Sequence, residues 1–288
     1  MRGGQRQVLL LLNALREKGH SSTLLARYGS PLWRAAMGEG FSLFPGDAEH
    51  VWKLSSQAEL VHAHDARAHT LAALFARTPF VVSRRVAFPV GRSFPSRWKY
   101  RRARRYLAVS QFVAGELASA GVARDKIDVV YDAVSAAPST VWKPNGPAVA
   151  LPSRDPQKGR DLVEQASALA GIAVDFADDL EGSLRGASMF VYITRSEGLG
   201  SAALLAMNMG VPVIASHTGG LAEVVEEGVS GLLVANNAPE IARAMNVVRR
   251  DWDLARKLIE GAHRAIAERF TVSHMVGGAL ASYRRALD

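Results

Sequence analysis

The sequence contains no cysteine, which excludes disulfide bonds, thiolate metal sites and cysteine nucleophiles. No window approaches about 18 consecutive apolar residues, so the sequence predicts no membrane-spanning helix. The first residues also lack the apolar segment of a secretory signal. No group of His, Asp and Glu has a metal-ligand spacing, and we predict no metal in the site. Together these absences favour a cytoplasmic protein.

Acidic residues are absent from one long segment. Between Ala66 and Gly115 the sequence has eleven Lys or Arg residues and no Asp or Glu, within a chain of net charge +8. The densest part, residues 97–105, predicts a surface that attracts phosphates or an anionic membrane. An arginine-rich but merely solvated helix face is the alternative. Because no recognised module of stacking aromatics accompanies the tract, we predict no nucleic-acid partner.

Short apolar runs alternate with amphipathic stretches along the whole chain, a pattern typical of βαβ units with parallel sheets. A turn-rich break at 133–147 separates two such series. The predicted domains are therefore 1–140 and 141–271, followed by a C-terminal helix at 272–288 that packs back on the first domain. Strands are predicted at 22–27, 59–64, 80–84, 106–110, 127–131, 148–153, 172–177, 189–194, 212–216 and 231–234.

The beginning of the chain is unusual for this pattern. A Rossmann-like half normally opens with a central strand that leads into a glycine-rich turn, but here Gly3 and Gly4 come almost at once. The sequence therefore predicts that the first strand is missing and that the chain is truncated at its N-terminus.

The most informative segment follows the predicted strand 189–194. A glycine-containing loop carries Glu197, and a helix is predicted to begin near Ser201. Backbone N–H groups at such a helix start are suited to bind phosphate, and a loop carboxylate can accept hydrogen bonds from sugar hydroxyls. A second glycine pair, Gly219 and Gly220, follows the next strand. Each loop alone is compatible with an ordinary turn, but the combination favours a sugar-phosphate site.

The run from Ser196 to Val234 resembles the donor-binding half of retaining glycosyltransferases of family 4. Supporting segments come in the family's order along nearly the whole chain. These are Gly3-Gly4 with the following helix, the His-x-His end of the strand at 60–65, the strands at 107–110 and 129–132, and Pro156-Gln157-Lys158-Gly159. The resemblance implies the GT-B fold, with two Rossmann-like parallel-sheet domains facing across a cleft. It also implies a nucleoside diphosphate sugar as co-substrate and no other cofactor.

The resemblance also implies roles for residues of the second domain. Glu197 would contact hydroxyls of the donor sugar, while Lys158 and Arg154 would neutralise the donor diphosphate. The backbone of two loops would line the pocket for the sugar and phosphates. These loop residues are Gly198, Leu199, Gly200, Ser201, Gly219 and Gly220.

In the first domain, Gly3 and Gly4 would let the backbone approach the donor phosphate or the acceptor. Arg84 and Arg85 stand where many relatives place a histidine near the reacting sugar, and they are either cleft residues or part of a basic loop. His64 either contacts the acceptor or is satisfied by local hydrogen bonds. For Asp65 we predict a capping role at the following helix.

Two departures from the family pattern bear on function. Leu205 stands where the family usually has a second Glu that binds the nucleotide ribose, and Arg154 is one residue closer to Lys158 than usual. The sequence predicts transfer of a sugar to a hydroxyl of a lipid-linked or polysaccharide acceptor, at the inner face of the cytoplasmic membrane. The alternative is a degenerate, non-catalytic relative that binds a sugar nucleotide or a protein.

Overall fold

The computed structural model of this protein describes residues 3–91, 93–135 and 141–288. The chain divides into two compact units. The first contains the described residues up to Ala133 together with Val272–Asp288, and the second contains Val134–Thr271. Each unit is built on parallel strands with helices between them, so the predicted α/β class is confirmed.

The first unit alternates strands and helices and holds two parallel sheets. One sheet pairs β1 with β2, and the other has the order β3-β4-β5-β6. Its strands are β1 (Thr23–Ala26), β2 (Ser42–Pro45), β3 (Val61–Ala63), β4 (Phe80–Arg84), β5 (Arg105–Ala108) and β6 (Ile127–Val129). Its first six helices are α1 (Gly3–Glu17), α2 (Pro31–Gly38), α3 (Ala48–Ser55), α4 (Ala66–Phe75), α5 (Phe94–Arg102) and α6 (Gln111–Ser119).

Helix α1 packs against both sheets of this unit. Its residues Val8 and Leu12 pack in a core with β1, whereas Leu11 and Leu15 pack in a second core with β4 and β5. The buried amide of Gln7 also donates to the carbonyl of Ala133 (2.8 Å) and accepts from its N–H (2.9 Å). The apolar stripe and this amide fix the start of α1 beside the ends of the strands.

The second unit contains one five-stranded parallel sheet with the order β11-β10-β9-β7-β8. Its strands are β7 (Ala148–Ala150), β8 (Val174–Phe176), β9 (Met189–Tyr192), β10 (Val213–Ser216) and β11 (Leu232–Val234). Its helices are α7 (Arg160–Ala170), α8 (Leu180–Leu184), α9 (Ser201–Asn208), α10 (Leu221–Val224), α11 (Ala238–Arg250) and α12 (Trp252–Arg269). The central strands β9 and β10 are fully buried, as expected for a parallel sheet covered on both faces.

The last helix, α13 (Val272–Leu287), belongs to the first unit. Its residues Met275, Val276 and Ala279 join the core formed by α1, β4 and β5. No helix in the described ranges is long and apolar enough to cross a membrane.

The structure differs from the sequence prediction in the first unit. Elements α2, β2 and α3 occupy a stretch between residues 28 and 58 for which the sequence predicted none, because each is short and none contains the continuous buried apolar run that marks β9 and β10. Gly3 and Gly4 begin α1 and do not form a separate glycine loop.

Candidate active site

The second unit brings Lys158 and Glu197 into direct contact. The Nζ atom of Lys158 lies 2.9 Å from Oε2 of Glu197, and both side chains keep part of their surface exposed to solvent. Lys158 ends a short 3₁₀ turn after β7, and Glu197 lies on the loop after β9. Since both loops follow the carboxyl ends of neighbouring parallel strands, the sheet places them side by side.

Glu197 has two further hydrogen-bond partners. The hydroxyl of Tyr192 donates to Oε2, and the N–H of Gly198 donates to Oε1 (3.1 Å). Burial and the neighbouring Glu197 raise the pKa of Tyr192 well above its ordinary value, so its hydroxyl keeps its proton at neutral pH. Three donors therefore hold a partly exposed carboxylate in one orientation.

Gly159 allows the Lys158 turn to approach β9. It has a φ of +59°, and a Cβ atom there would lie 2.6 Å from Cγ2 of Ile193. The backbone N–H of Arg195 donates to the carbonyl of Gln157 (2.8 Å), and the hydroxyl of Thr194 donates to the same carbonyl (3.1 Å). These contacts fix the position of Lys158 relative to the loop that carries Glu197.

The glycine pair after β10 packs directly on the Glu197 loop. A Cβ atom at Gly219 would lie 2.2 Å from the carbonyl oxygen of Glu197, and one at Gly220 would lie 2.0 Å from that of Gly198. The N–H of Gly220 donates to the carbonyl of Glu197 (3.0 Å). These glycines are therefore explained by loop packing, and the prediction that their backbone lines a sugar pocket stays a prediction.

The other predicted residues of this unit differ in exposure. Helix α9 begins at Ser201, as predicted, and Gly200 precedes it with a φ of 111°. Leu199 is 2% exposed and belongs to the core. Arg154 is exposed, and Leu205 is partly buried on α9. The roles predicted for these residues remain predictions.

In the first unit, Arg85 connects His64 with Asp132. Its Nε donates to Oδ1 of Asp132 (2.8 Å), and its Nη1 lies 3.2 Å from Nδ1 of His64. His64 follows β3, Arg85 follows β4 and Asp132 follows β6, so all three lie at the carboxyl edge of one sheet. A Cβ atom at Gly4 would lie 3.9 Å from Cδ of Arg85, which places the start of α1 beside the same group.

His62 lies beneath this group with its ring centroid 3.9 Å from that of His64. Its Nε2 is 2.8 Å from the hydroxyl of Ser83, and its Nδ1 is 2.6 Å from the hydroxyl of Tyr283 on α13. Burial, with a smaller effect of Arg85, lowers the pKa of His62 to about 3. Burial, His62 and Arg85 together lower the pKa of His64 well below its ordinary value. Both rings are therefore neutral near pH 7.

Arg84 and Asp65 have local partners. Arg84 donates from Nη1 to the hydroxyl of Tyr100 (2.9 Å) and from Nη2 to the carbonyl of Phe88. Asp65 accepts from the N–H of Ala68 (2.8 Å) as the N-cap of α4, so its predicted capping role is confirmed. The structure thus places Arg85, and not Arg84, against His64.

Sequence reasoning missed several residues of these clusters, among them Asp132, Tyr192 and Tyr283. Tyr192 lies within an apolar strand run, and Tyr283 lies on a helix more than 200 positions from its partner His62. Tyr192 precedes Glu197 by five positions, which is a signal that could have been used. Nothing in the local sequence around Tyr283 indicates its contact.

Two family models match adjacent parts of the chain. The "Glycosyltransferase Family 4" model matches residues 1–137, and the "Glycosyl transferases group 1" model matches residues 120–251. Together they cover both sheets that carry the clusters above. The chain belongs to the family 4, group 1 glycosyltransferases.

Similar proteins agree with this membership. Over 94 residues the chain is 34% identical to the Vi polysaccharide biosynthesis protein VipC/TviE of Salmonella typhi, which is 31% of this chain and 16% of that protein. Over 111 residues it is 35% identical to the D-inositol 3-phosphate glycosyltransferase of Salinispora arenicola, which is 38% of this chain and 25% of that protein. The matching segments thus span less than two thirds of these relatives.

Solved structures share the fold over nearly the whole chain. Anabaena Alr3699/HepE, crystallised in complex with UDP and glucose, superposes with a TM-score of 0.83 at 17% identity, covering 98% of this chain and 96% of that one. The predicted GT-B fold class is therefore confirmed.

Proposed function

We propose that this family member is a glycosyltransferase that moves a sugar from a nucleoside diphosphate sugar to a hydroxyl, with retention of configuration at the anomeric carbon. The observation that carries the proposal is the contact between Lys158 and Glu197 on adjacent loops of the second unit. This contact combines a cation suited to a diphosphate with a carboxylate suited to sugar hydroxyls. Membership of the family and the complex of HepE with UDP and glucose support the same donor class.

The proposed reaction needs no side chain as a general base. Lys158, assisted by the exposed Arg154, stabilises the negative charge that develops on the departing nucleoside diphosphate. Glu197 orients the donor sugar through its hydroxyls while Tyr192 and Gly198 keep the carboxylate in place. A phosphate oxygen of the leaving group accepts the proton of the acceptor hydroxyl. Retention itself rests on the family resemblance.

The proposed acceptor is a lipid-linked or polysaccharide hydroxyl at an anionic membrane surface. A relative named for polysaccharide biosynthesis supports the acceptor class. The basic helix α5 supports the location, because none of its residues is buried and it carries exposed Phe94, Trp98, Arg97 and Arg101. Basic and aromatic side chains together are suited to lipid headgroups.

A donor panel tests the proposed function. The protein is incubated with UDP-, GDP- and dTDP-sugars, release of nucleoside diphosphate is measured with and without polysaccharide acceptors, and the anomeric configuration of the product is read by NMR. Glu197→Gln should lower turnover by a factor on the order of 100, the range found when a positioned polar group is removed. Glu260→Gln, on the exposed face of α12, is the matched control. Full turnover in Glu197→Gln would contradict the assignment.

Lys158→Ala tests the diphosphate site separately. Loss of a hydrogen bond to a charged group costs about 1.5–3 kcal/mol, so calorimetry should show a donor affinity weaker by about tenfold or more. Unchanged affinity would place the diphosphate elsewhere.

The second candidate function is binding without catalysis, and Leu205 is the observation that favours it. This apolar side chain stands on α9 where the family usually has a ribose-binding Glu, and it is partly buried. If calorimetry detects nucleotide-sugar binding but no donor is consumed with any acceptor, this candidate replaces the first. Leu205→Glu should then raise nucleotide affinity if the rest of the pocket is intact.

A further inference from the structure

Arg85 lies between the carboxylate of Asp132 and the ring of His64, at the carboxyl edge of the first unit's sheet. Its Nε bonds to Asp132 Oδ1 at 2.8 Å, and its Nη1 lies 3.2 Å from His64 Nδ1. A guanidinium has five N–H donors and no acceptor, and it stays protonated in proteins. The atom that it meets on His64 must therefore offer a lone pair.

We infer that Arg85 is a positioning residue that fixes His64 as the neutral tautomer with its proton on Nε2. His64 then presents an N–H donor to an oxygen of the bound ligand and does not remove a proton at that atom. The inference rests on the proposed glycosyl transfer for the identity of the ligand, but the tautomer itself is a property of the free protein.

The surroundings of His64 disfavour its protonated form. The ring of His62 stacks on that of His64 with their centroids 3.9 Å apart, and the positively charged Arg85 lies next to Nδ1 of His64. The partners of His62 are the hydroxyls of Ser83 and Tyr283, which bring no charge. Asp132 brings a negative charge, but its Oδ1 is bonded to Arg85. Adding a proton to His64 would place a second cation beside Arg85 in a half-buried cluster.

The free nitrogen of His64 defines the class of ligand. Its Nε2 has no hydrogen-bond partner among the described residues, and the residue keeps part of its surface exposed. A fixed N–H next to a guanidinium is suited to an oxygen that accepts hydrogen bonds, either of a sugar hydroxyl or of a phosphate. In the proposed reaction His64 therefore binds such an oxygen, and the acceptor's proton leaves by another group.

NMR of the protein labelled with ¹⁵N-histidine tests the tautomer without any substrate. Two-dimensional spectra that correlate ring nitrogens with ring protons distinguish a protonated from an unprotonated nitrogen, and His64→Gln identifies the His64 signals. At neutral pH we expect Nδ1 unprotonated and Nε2 protonated, with no titration through the ordinary histidine pKa of about 6.5. An Nδ1–H tautomer, or an imidazolium at neutral pH, would overturn the inference.

A pair of variants tests the role of Arg85. In Arg85→Met, His64 should populate both tautomers and titrate closer to the ordinary pKa, because its fixed donor and the adjacent charge are gone. Arg84→Met removes the same charge one position earlier, where the guanidinium bonds to Tyr100, and it should leave the His64 signals as in the wild type. A pure Nε2–H tautomer in Arg85→Met would show that Arg85 does not position His64.

Ligand titrations complete the test. UDP alone and methyl glucoside alone are each added to the labelled wild-type protein, and the Nε2–H signal of His64 is followed. A shift with UDP assigns the partner to an oxygen of the nucleoside diphosphate, and a shift with the glycoside assigns it to a sugar hydroxyl. If neither shifts the signal, His64 is not a ligand donor. These readouts need no turnover, so the inference and the proposed function can fail independently.

Discussion

At the scale of single residues, the cluster in each unit is built from groups whose protonation states are fixed. Tyr192 is held protonated by burial beside Glu197, and His62 is held neutral by burial. Arg85 adds a permanent donor next to His64. Such groups orient and stabilise a ligand without exchanging protons with it, which agrees with a reaction in which the leaving phosphate accepts the proton.

The first residue-scale prediction concerns the hydroxyl of Tyr192. Tyr192→Phe removes one of the donors that hold Oε2 of Glu197 and leaves the ring packed in β9. We expect kcat/KM to fall about tenfold or more, because a hydrogen bond to a charged group is worth about 1.5–3 kcal/mol. Tyr106→Phe is the matched control, since its buried hydroxyl bonds to the backbone of Tyr100 in the first unit. Equal activity in both variants would remove Tyr192 from the site.

The second residue-scale prediction concerns pH. His62, with a folded-state pKa of about 3, binds no proton near pH 6, whereas an unfolded chain with an ordinary pKa of 6.5 does. Above about pH 6.5, His62 is neutral in both states and does not lower the free energy of unfolding. As the pH falls from there towards the folded-state pKa, the free energy of unfolding decreases by at most about 1.4 kcal/mol per pH unit for one histidine.

Urea unfolding at a series of pH values checks this, in the window above about pH 5 where carboxylates stay ionised. The groups around His62 in this window are His64, Arg85, Ser83 and Tyr283. The free energy of unfolding should decrease from about pH 7 to pH 5, and His62→Gln should show a smaller decrease. The same slope in both proteins would contradict the prediction.

At the scale of elements, the site depends on loops that can approach closely because they contain glycine. The turn at Gly159 touches Ile193, directly after β9, and the Gly219-Gly220 loop touches the Glu197 loop. These contacts explain the motifs physically: the glycines in Lys158-Gly159 and in the second glycine pair are needed before any ligand is bound. The glycines in these motifs are thus required first for the packing of the loops, and the packed loops in turn position the residues proposed to bind the ligand.

Gly159→Ala tests this at the element scale. The substitution forces alanine into a left-handed conformation, which costs about 1–2 kcal/mol, and adds a Cβ atom 2.6 Å from Ile193. Gly171→Ala is the matched control, because Gly171 has a similar φ of 65° with nothing within 4 Å of the added atom. Gly159→Ala should lose more stability in urea than Gly171→Ala and should also raise the KM for donor. Equal losses would show that the contact with Ile193 relaxes freely.

Elements with strong patterns were predictable from the sequence, and short or distant ones were not. The buried strands β4, β9 and β10 were predictable because each contains a continuous apolar run, and the last helix α13 because its pattern extends over several turns. Element β2, Ser-Leu-Phe-Pro, is only partly buried and contains no such run. For the candidate site, Glu197 was predicted from its glycine-containing loop, and Lys158 was predicted from the family resemblance. The contact of Tyr283 with His62 depends on where α13 packs, which no local pattern encodes.

At the scale of the whole molecule, charge is distributed unevenly along the chain. The net charge is +8, and the segment without acidic residues belongs to the first unit, where it forms α4, β4, α5 and β5. Not all of its cations are available to a partner. Arg105 pairs with Asp128 at 2.6 Å, and Tyr100 is half-buried against His69 and Tyr106, so these two members of the tract do not form part of a binding surface.

What remains is the outward side of α5, which carries Arg97, Trp98, Arg101 and the very exposed Phe94 (82%), with Arg104 just beyond it. We predict that this surface binds anionic membranes reversibly, because each basic residue near an anionic membrane contributes about 1 kcal/mol and aromatic rings settle at the headgroups.

In co-sedimentation, the protein should bind vesicles with phosphatidylglycerol, not those of phosphatidylcholine alone, and should dissociate as added salt shortens the Debye length. Gln replacements of Arg97, Arg101 and Arg104 together should abolish binding. The matched control replaces Arg250, Lys257 and Arg264, exposed in the second unit, and should bind as the wild type does. Equal binding by both triple variants would assign the attraction to net charge, and equal partitioning to both vesicle types would exclude an electrostatic membrane surface on α5.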